Sequence, residues 1–359
     1  MGFLKGPMTF SQYRVIGEHS ADFNKIFDER IKRYAFPDFI GAAAEKAIGW
    51  TDIVDPLDTG FAYAKYNFGS YLLFSLRIDR KIVPPALLTL KCLQAERDFI
   101  AKRDTKKIHR TQREEIREAV RCDLMKKVPP TPSFFEICWH PQEKRLLFSS
   151  LSDKIIDDFY GLFKESFDFS LHPFLPWDPQ YLSQELAAHF VSLEALPWGR
   201  EFLTWLWFKS EERDGMITIA PDEDVEMHFV RRIVLTSGDG DYSEQVVCQG
   251  MHSDLKEGKE ALRQGKKIKE ARIKLCRDTA SWEFTFKADR FEFQSLKLPE
   301  AMGMEDDERD DEGKTLERIY LLEQAVNTME RLFGIFLQIH LSRKWETEEM
   351  TSMAKWLQR

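Results

Sequence analysis

Two proline clusters bracket the most basic part of this chain, and together they limit what that part can become. Pro84-Pro85 stands at one end and Pro129-Pro130-Thr131-Pro132 at the other. Proline suits the first turn of a helix and pushes the residue before it out of the helical region. Leu87, Leu88, Leu90 and Leu93 give the intervening stretch an apolar face, and Thr111-x-x-Glu114 has the form of a capping box that starts a second helix at Thr111. The pattern predicts a helical arm over 84–131, inserted between two strands. Within 77–127 there are 15 Lys/Arg against 8 Asp/Glu, a surplus of seven on a chain of formal net charge −8. An acidic protein that gathers positive charge into one arm is built to use that arm on a polyanion.

Length and composition narrow the class. At 359 residues, 43% hydrophobic and 13% aromatic, the chain can bury sizeable cores, which excludes global disorder. No apolar run approaches the roughly 20 residues of a membrane span, so no membrane partner is expected. The N-terminus lacks a signal-peptide apolar region, and Gly6 stands where a myristoylation site needs Ser or Thr. Cys92, Cys122, Cys138, Cys248 and Cys276 are odd in number, far apart and without a CxxC. They read as reduced, mostly buried thiols of a cytoplasmic protein rather than as a disulfide framework or a zinc site.

Taken in order, the chain mixes hairpins with grouped helices. Residues 12–16 read as a strand, and Ser20 as the N-cap of a helix whose face is Phe23, Ile26, Phe27, Ile31 and Tyr34. The aromatic stretch 61–83, with Asn67 and Gly69 at its centre, reads as a hairpin. FFEICW and RLLFSS form another, after which Ser152 caps a helix with Ile155, Ile156, Phe159, Leu162 and Phe163 on one face. Helical pieces follow around 182–193 and 200–209. Strands then dominate 216–299, interrupted by a helix over 254–264 and ending in the hairpin WEFTFKADRFEFQSLKL. The acidic run 305–312, with seven acids and one Arg, reads as a solvated loop or interaction segment ahead of a long amphipathic helix over 315–341. This order predicts an α+β fold with antiparallel pairing. The expected divisions are 1–83, the arm 84–131, a central part 132–214, a β-rich part 215–300 and a C-terminal part 301–359.

Catalytic and cofactor signatures are sparse. No GxGxxG, Walker A loop, HExxH, GxSxG or EF-hand series is present, so no cofactor or metal is expected. The Gly238–Asp241 GDGD reads as a hairpin turn, because a calcium loop begun at Asp239 would place Gly250 where a bidentate Glu belongs. Pro221-Asp222 with Glu257-Gly258-Lys259 mimics a metal-dependent nuclease, but that chemistry needs rigid residues beside a metal. Here Glu257 and Lys259 start a highly charged helix. His109 lies among cations and reads as a phosphate neighbour.

Positive charge carries more information. A second window, 256–277, has nine Lys/Arg against three Glu, which leaves the rest of the chain at −21. Lys102, Arg103, Lys106, Lys107, Arg110, Arg113 and Arg117 recur at helical spacing, as cations that touch phosphates without reading sequence would. Trp205, Trp207 and Phe208 offer a base-stacking surface, but beside Leu203 and Leu206 at helical spacing they read as core.

In order and spacing, these features resemble the bacterial RdgC family of recombination-associated proteins. The matching residues are Ala35-Phe36 with Gly49-Trp50, Lys81-Ile82-x-Pro84 opening the arm, Cys138-Trp139 after it, the 146–150 strand, Gly265-Lys266 before a β-stretch, and the acidic loop leading to the C-terminal helix. The resemblance implies an elongated, curved α+β subunit whose homodimer closes into a ring around duplex DNA. It also implies association with the nucleoid and restraint of RecA-driven strand exchange. By that resemblance the family's basic arm falls on 102–117 and its Gly-Lys corner on Gly265-Lys266; phosphate neutralisation is expected along the arm and around Lys266, Lys267 and Lys269. A departure stands just upstream, where Gln249-Gly250-Met251-His252 replaces the adjacent cations the family pattern implies. The chain is therefore expected to be a non-catalytic, sequence-independent duplex-DNA binder. The competitors are a nuclease using Asp222 and Glu257, and a protein-interaction scaffold.

Overall fold

Alternate residues of the first strand face two different cores. The structure, a computed structural model, describes residues 2–18, 20, 22–39, 44–103, 107–182, 197–221, 223–238, 244–250, 256–299 and 311–358. The first part of the chain supplies β1 (Met8–Ile16), α1 (Phe23–Arg33), β2 (Lys46–Thr51), β3 (Asn67–Phe68), β4 (Tyr71–Arg80), α2 (Pro85–Arg103), α3 (Arg110–Lys127), β5 (Thr131–His140), β6 (Arg145–Phe148), α4 (Asp153–Phe167) and β7 (Ser170–Pro173). The second supplies α5 (Trp198–Glu212), β8 (Met216–Ala220), β9 (Glu223–Thr236), β10 (Gln245–Gln249), α6 (Lys256–Arg263), β11 (Lys267–Arg277), β12 (Ala280–Lys287), β13 (Glu292–Lys297), α7 (Asp311–His340) and α8 (Met350–Gln358).

The strands form one α+β sheet, with the path β10-β9-β11-β12-β13-β1-β6-β5-β4-β2 and antiparallel ladders throughout. β1 is the hinge strand of this path. Its start pairs with β13 (Met8↔Leu296) and its middle with β6 (Ser11↔Phe148). Met8 and Phe10 therefore enter one core while Tyr13 and Val15 enter the other. The same two-residue period runs through β4, where Leu73 faces the first core and Leu72, Phe74 and Leu76 the second. With apolar cores on both faces, runs such as LLFSL and FEICW read as continuous rather than alternating. Buried residues of α1 and α4 fill one face, and buried residues of α5 and α7 the other.

α7 crosses the seam and ties both parts of the sheet together. Its Glu323 accepts from the Tyr71 hydroxyl at 2.9 Å and its Glu330 pairs with Arg145 at 2.6 Å. Further on, Arg331 pairs with Glu223 at 2.7 Å. α5 docks on the turn after β12 through Arg200, paired with Asp289 at 2.5 Å. Gly199 makes that approach possible: a Cβ there would lie 1.9 Å from the Ala288 carbonyl oxygen. Gly199→Ala should therefore overpack the contact and cost about 1–3 kcal/mol. A calorimetric melting temperature equal to that of the wild type would contradict this.

Several local expectations shift. α1 starts at Phe23 with Asp22, not Ser20, at the N-cap. Of the 61–83 stretch, only β3 pairs back onto β4; residues 62–64 form a 3₁₀ turn, and the long partners of β4 are β2 and β5. The connection is held by side-chain turns, in which Asp52 accepts from Val54 and Asp55, and Asp58 from Gly60 and Phe61. α3 begins at Arg110, and the Gln112 side chain accepts from the His109 N–H at 3.0 Å; Glu114 instead pairs with Arg110. The C-terminal helix starts earlier, at Asp311, where acids suit its positive end. The rest of the acidic run, and residues 183–193 of the expected helical piece, lie outside the described residues.

Candidate nucleic-acid interface

Arg80 and Thr131 stand opposite each other in the β4–β5 ladder, so residues 81–130 leave the sheet and return to the same point. This is where a short turn would otherwise close a hairpin. Pro85 opens α2, Pro129-Pro130 follow α3, and the two helices pack together as an arm. No residue of α2 is buried. Half-buried Leu88, Cys92, Ala95 and Phe99 recur along α2, and Gln112, Ile116 and Val120 along α3, which marks the seam between them. Glu96 and Arg113 bridge that seam at 3.7 Å.

The outer surfaces carry the cations. Lys102, Arg103, Lys107, Arg110, Arg113 and Arg117 are all exposed. Arg110, Arg113 and Arg117 follow helical spacing on α3, while Lys102, Arg103 and Lys107 cluster where α2 ends. Arg103 lies over the Phe99 ring at 4.7 Å. Lys102, Lys107 and Arg117 have no carboxylate within ion-pair distance among the described residues; Lys106 lies outside them. The pairs that do form are weak, since Arg110 and Glu114 are 93% and 65% exposed. A phosphate can displace such partners at little cost.

The second set of cations is placed differently. Gly265, at φ +85°, ends α6 in the left-handed conformation that glycine favours, and the Lys266 N–H then donates to the Ala261 carbonyl. That turn carries Lys266 inward: it is 7% exposed and pairs with Glu244 at 3.0 Å. Lys267 pairs with Glu201 at 2.7 Å. Only Lys269 of the three is exposed without a carboxylate partner among the described residues. The neutralising acids come from β10's approach and from α5, too far along the chain for local spacing to show.

The nuclease constellation is not assembled among the described residues. Asp222 lies outside them, Glu257 is exposed on α6, and Lys259 pairs with Glu211 at 2.8 Å and sits over the Trp356 ring. No group of three or more His, Cys, Asp or Glu suited to a metal occurs among the described residues. Trp205, Trp207 and Phe208 are at most 3% exposed and belong to the core.

A family model described as "Putative exonuclease, RdgC" matches residues 9–218. The chain belongs to the RdgC family. The match takes in the whole arm and β1 through β7, and it stops inside β8, before Lys266, Lys267 and Lys269. No curated protein matches the chain. No helix among the described residues of this RdgC protein is long and apolar enough to cross a membrane.

Proposed function

We propose that this RdgC protein binds duplex DNA without sequence preference, as a homodimer closed around it, and so restrains RecA-type strand exchange at the nucleoid. The observation that carries the reading is the arm, a two-helix projection with no buried residue on α2 and with Lys102, Arg103, Lys107, Arg110, Arg113 and Arg117 turned to solvent. Cations on helix faces neutralise phosphates and release counterions, and nothing in that process depends on base identity. Lys269 adds a contact, whereas Lys266 and Lys267 serve the fold through Glu244 and Glu201. With about 6 phosphates neutralised, log K should fall against log salt with a slope near −5. A gel-shift series over salt checks this; a nearly flat slope, or a preference above about a hundredfold for one sequence, overturns it.

The family description favours a second reading, exonuclease activity; the metal-dependent form that the sequence suggests would use Asp222 and Glu257, both beyond the matched residues 9–218. Incubating linear duplex with the protein and Mg²⁺ separates the two. Nucleotides released from the ends support the nuclease, and intact DNA in a shifted complex supports the binder.

A further inference from the structure

Where β13 meets the N-terminal end of α4 there is a polar cavity of 260 Å³, apart from the arm. Glu292 lines it and is only 5% exposed, yet its carboxyl has no hydrogen-bond or ion-pair partner among the described residues. A buried carboxyl left alone is costly, so its persistence calls for an occupant or a proton. The other carboxylates of the cavity are already matched. Asp153 pairs with Arg290, Asp289 with Arg200 at 2.5 Å, and Glu270 with Arg232 at 3.1 Å. Lys269 and Lys287 have no carboxylate within ion-pair distance among the described residues, although Lys287 stands opposite both Glu270 and Glu292 in the ladders.

Two ammonium groups with no ion-pair partner among the described residues thus line a cavity that holds one unpaired carboxyl, and the balance is positive whether or not Glu292 is ionised. The N-terminal end of α4 borders the same cavity through Leu151 and Asp153, and the partial positive charge of a helix start also favours an anion. A metal cation would meet repulsion from the same two lysines. We propose that this cavity is a binding site for a tetrahedral oxyanion of the phosphate or sulfate class, gripped by Lys269 and Lys287, with protonated Glu292 donating to one ligand oxygen.

The site is pH-sensitive. Burial pushes the Glu292 carboxyl up to about 7, helped by Asp153 and Asp289 and opposed by Arg290 and Lys287. Tyr13 on β1 also faces it, and Lys269 and Glu270 line the cavity from β11. An anion favours the protonated carboxyl, so affinity is highest below about 7 and falls as pH rises through it. Free phosphorylated small molecules and phosphates of DNA both offer this chemistry. The proposal does not rest on the arm or on duplex binding.

Sulfate is a suitable probe because its charge is constant across the range, and calorimetric titration of the full chain at fixed ionic strength reads its affinity. Wild type should bind about tenfold more weakly at pH 8 than at pH 6. Glu292→Gln keeps a donor that does not titrate, so its affinity should be the same at both pH values. Lys287→Met keeps the apolar stem and should lose sulfate binding while its circular dichroism spectrum stays that of wild type. Absence of sulfate binding, an unchanged pH profile in Glu292→Gln, or Mg²⁺ binding that Glu292→Gln abolishes would overturn the proposal. If a 5′-phosphorylated duplex displaces the sulfate, the site takes nucleic-acid phosphates; if sulfate stays bound, it takes a small phosphorylated ligand. Both outcomes support an oxyanion site.

Discussion

Replacing Lys102, Arg103, Lys107 and Arg117 together by Glu should weaken duplex binding by roughly four-thousandfold at about 0.1 M salt and flatten the salt slope by about 3.6. The magnitude follows from counterion release. Each lost phosphate contact removes about 0.9 from the slope, and at that salt concentration each unit of slope is worth about tenfold in affinity. All four are exposed, and none has a carboxylate partner among the described residues. Only Arg103 has a contact to lose, its stacking on Phe99, worth about 0.5–1 kcal/mol at an exposed site. The variant should therefore keep its fold by circular dichroism while losing DNA. Lys106→Ala with Lys107→Ala is the milder version and should flatten the slope by about 1.8. Unchanged affinity in a folded quadruple variant would reduce the arm to a solvated surface.

The arm was legible in the sequence because everything that makes it is local. Prolines mark both ends, and the cations lie on the same two helices that present them; of the expected apolar face, Leu88 joins the seam while Leu90 and Leu93 are 65% and 49% exposed, because the seam runs through Cys92, Ala95 and Phe99 instead. The apolar faces of α4 and α7 were legible for the same reason. Lys266 and Lys267 were not, because Glu244 and Glu201 reach them from other elements, and a basic window says nothing of which lysines are already neutralised. The pairing of β4 is only partly legible in the sequence, because β2 lies across a loop held by Asp52 and Asp58 side chains, while the nearer Asn67-Phe68 offers only two residues of pairing. Glu292 alternates with Phe291 and Phe293, which places it on a polar face. Only the arrival of α4 at that face makes it a buried acid in a cavity.

The proposed closed dimer makes the second large prediction, because a ring would have a topological consequence that an open clamp lacks. Phosphate contacts on the arm are screened at high salt, where the Debye length shrinks to a few ångströms. A basic patch alone then releases circular and linear DNA alike. A ring threaded by a covalently closed circle has no end to leave by, whereas on a short linear duplex it slides off. Closure by two identical chains further requires a self-complementary contact, and hence a dimer at micromolar concentration in light scattering. The decisive measurement is retention on covalently closed plasmid and on the same plasmid linearised, after loading at low salt and a high-salt chase. Duplex enclosure predicts that protein stays on the circle and is lost from the line. Equal loss from both would contradict it and leave an open, electrostatic binder.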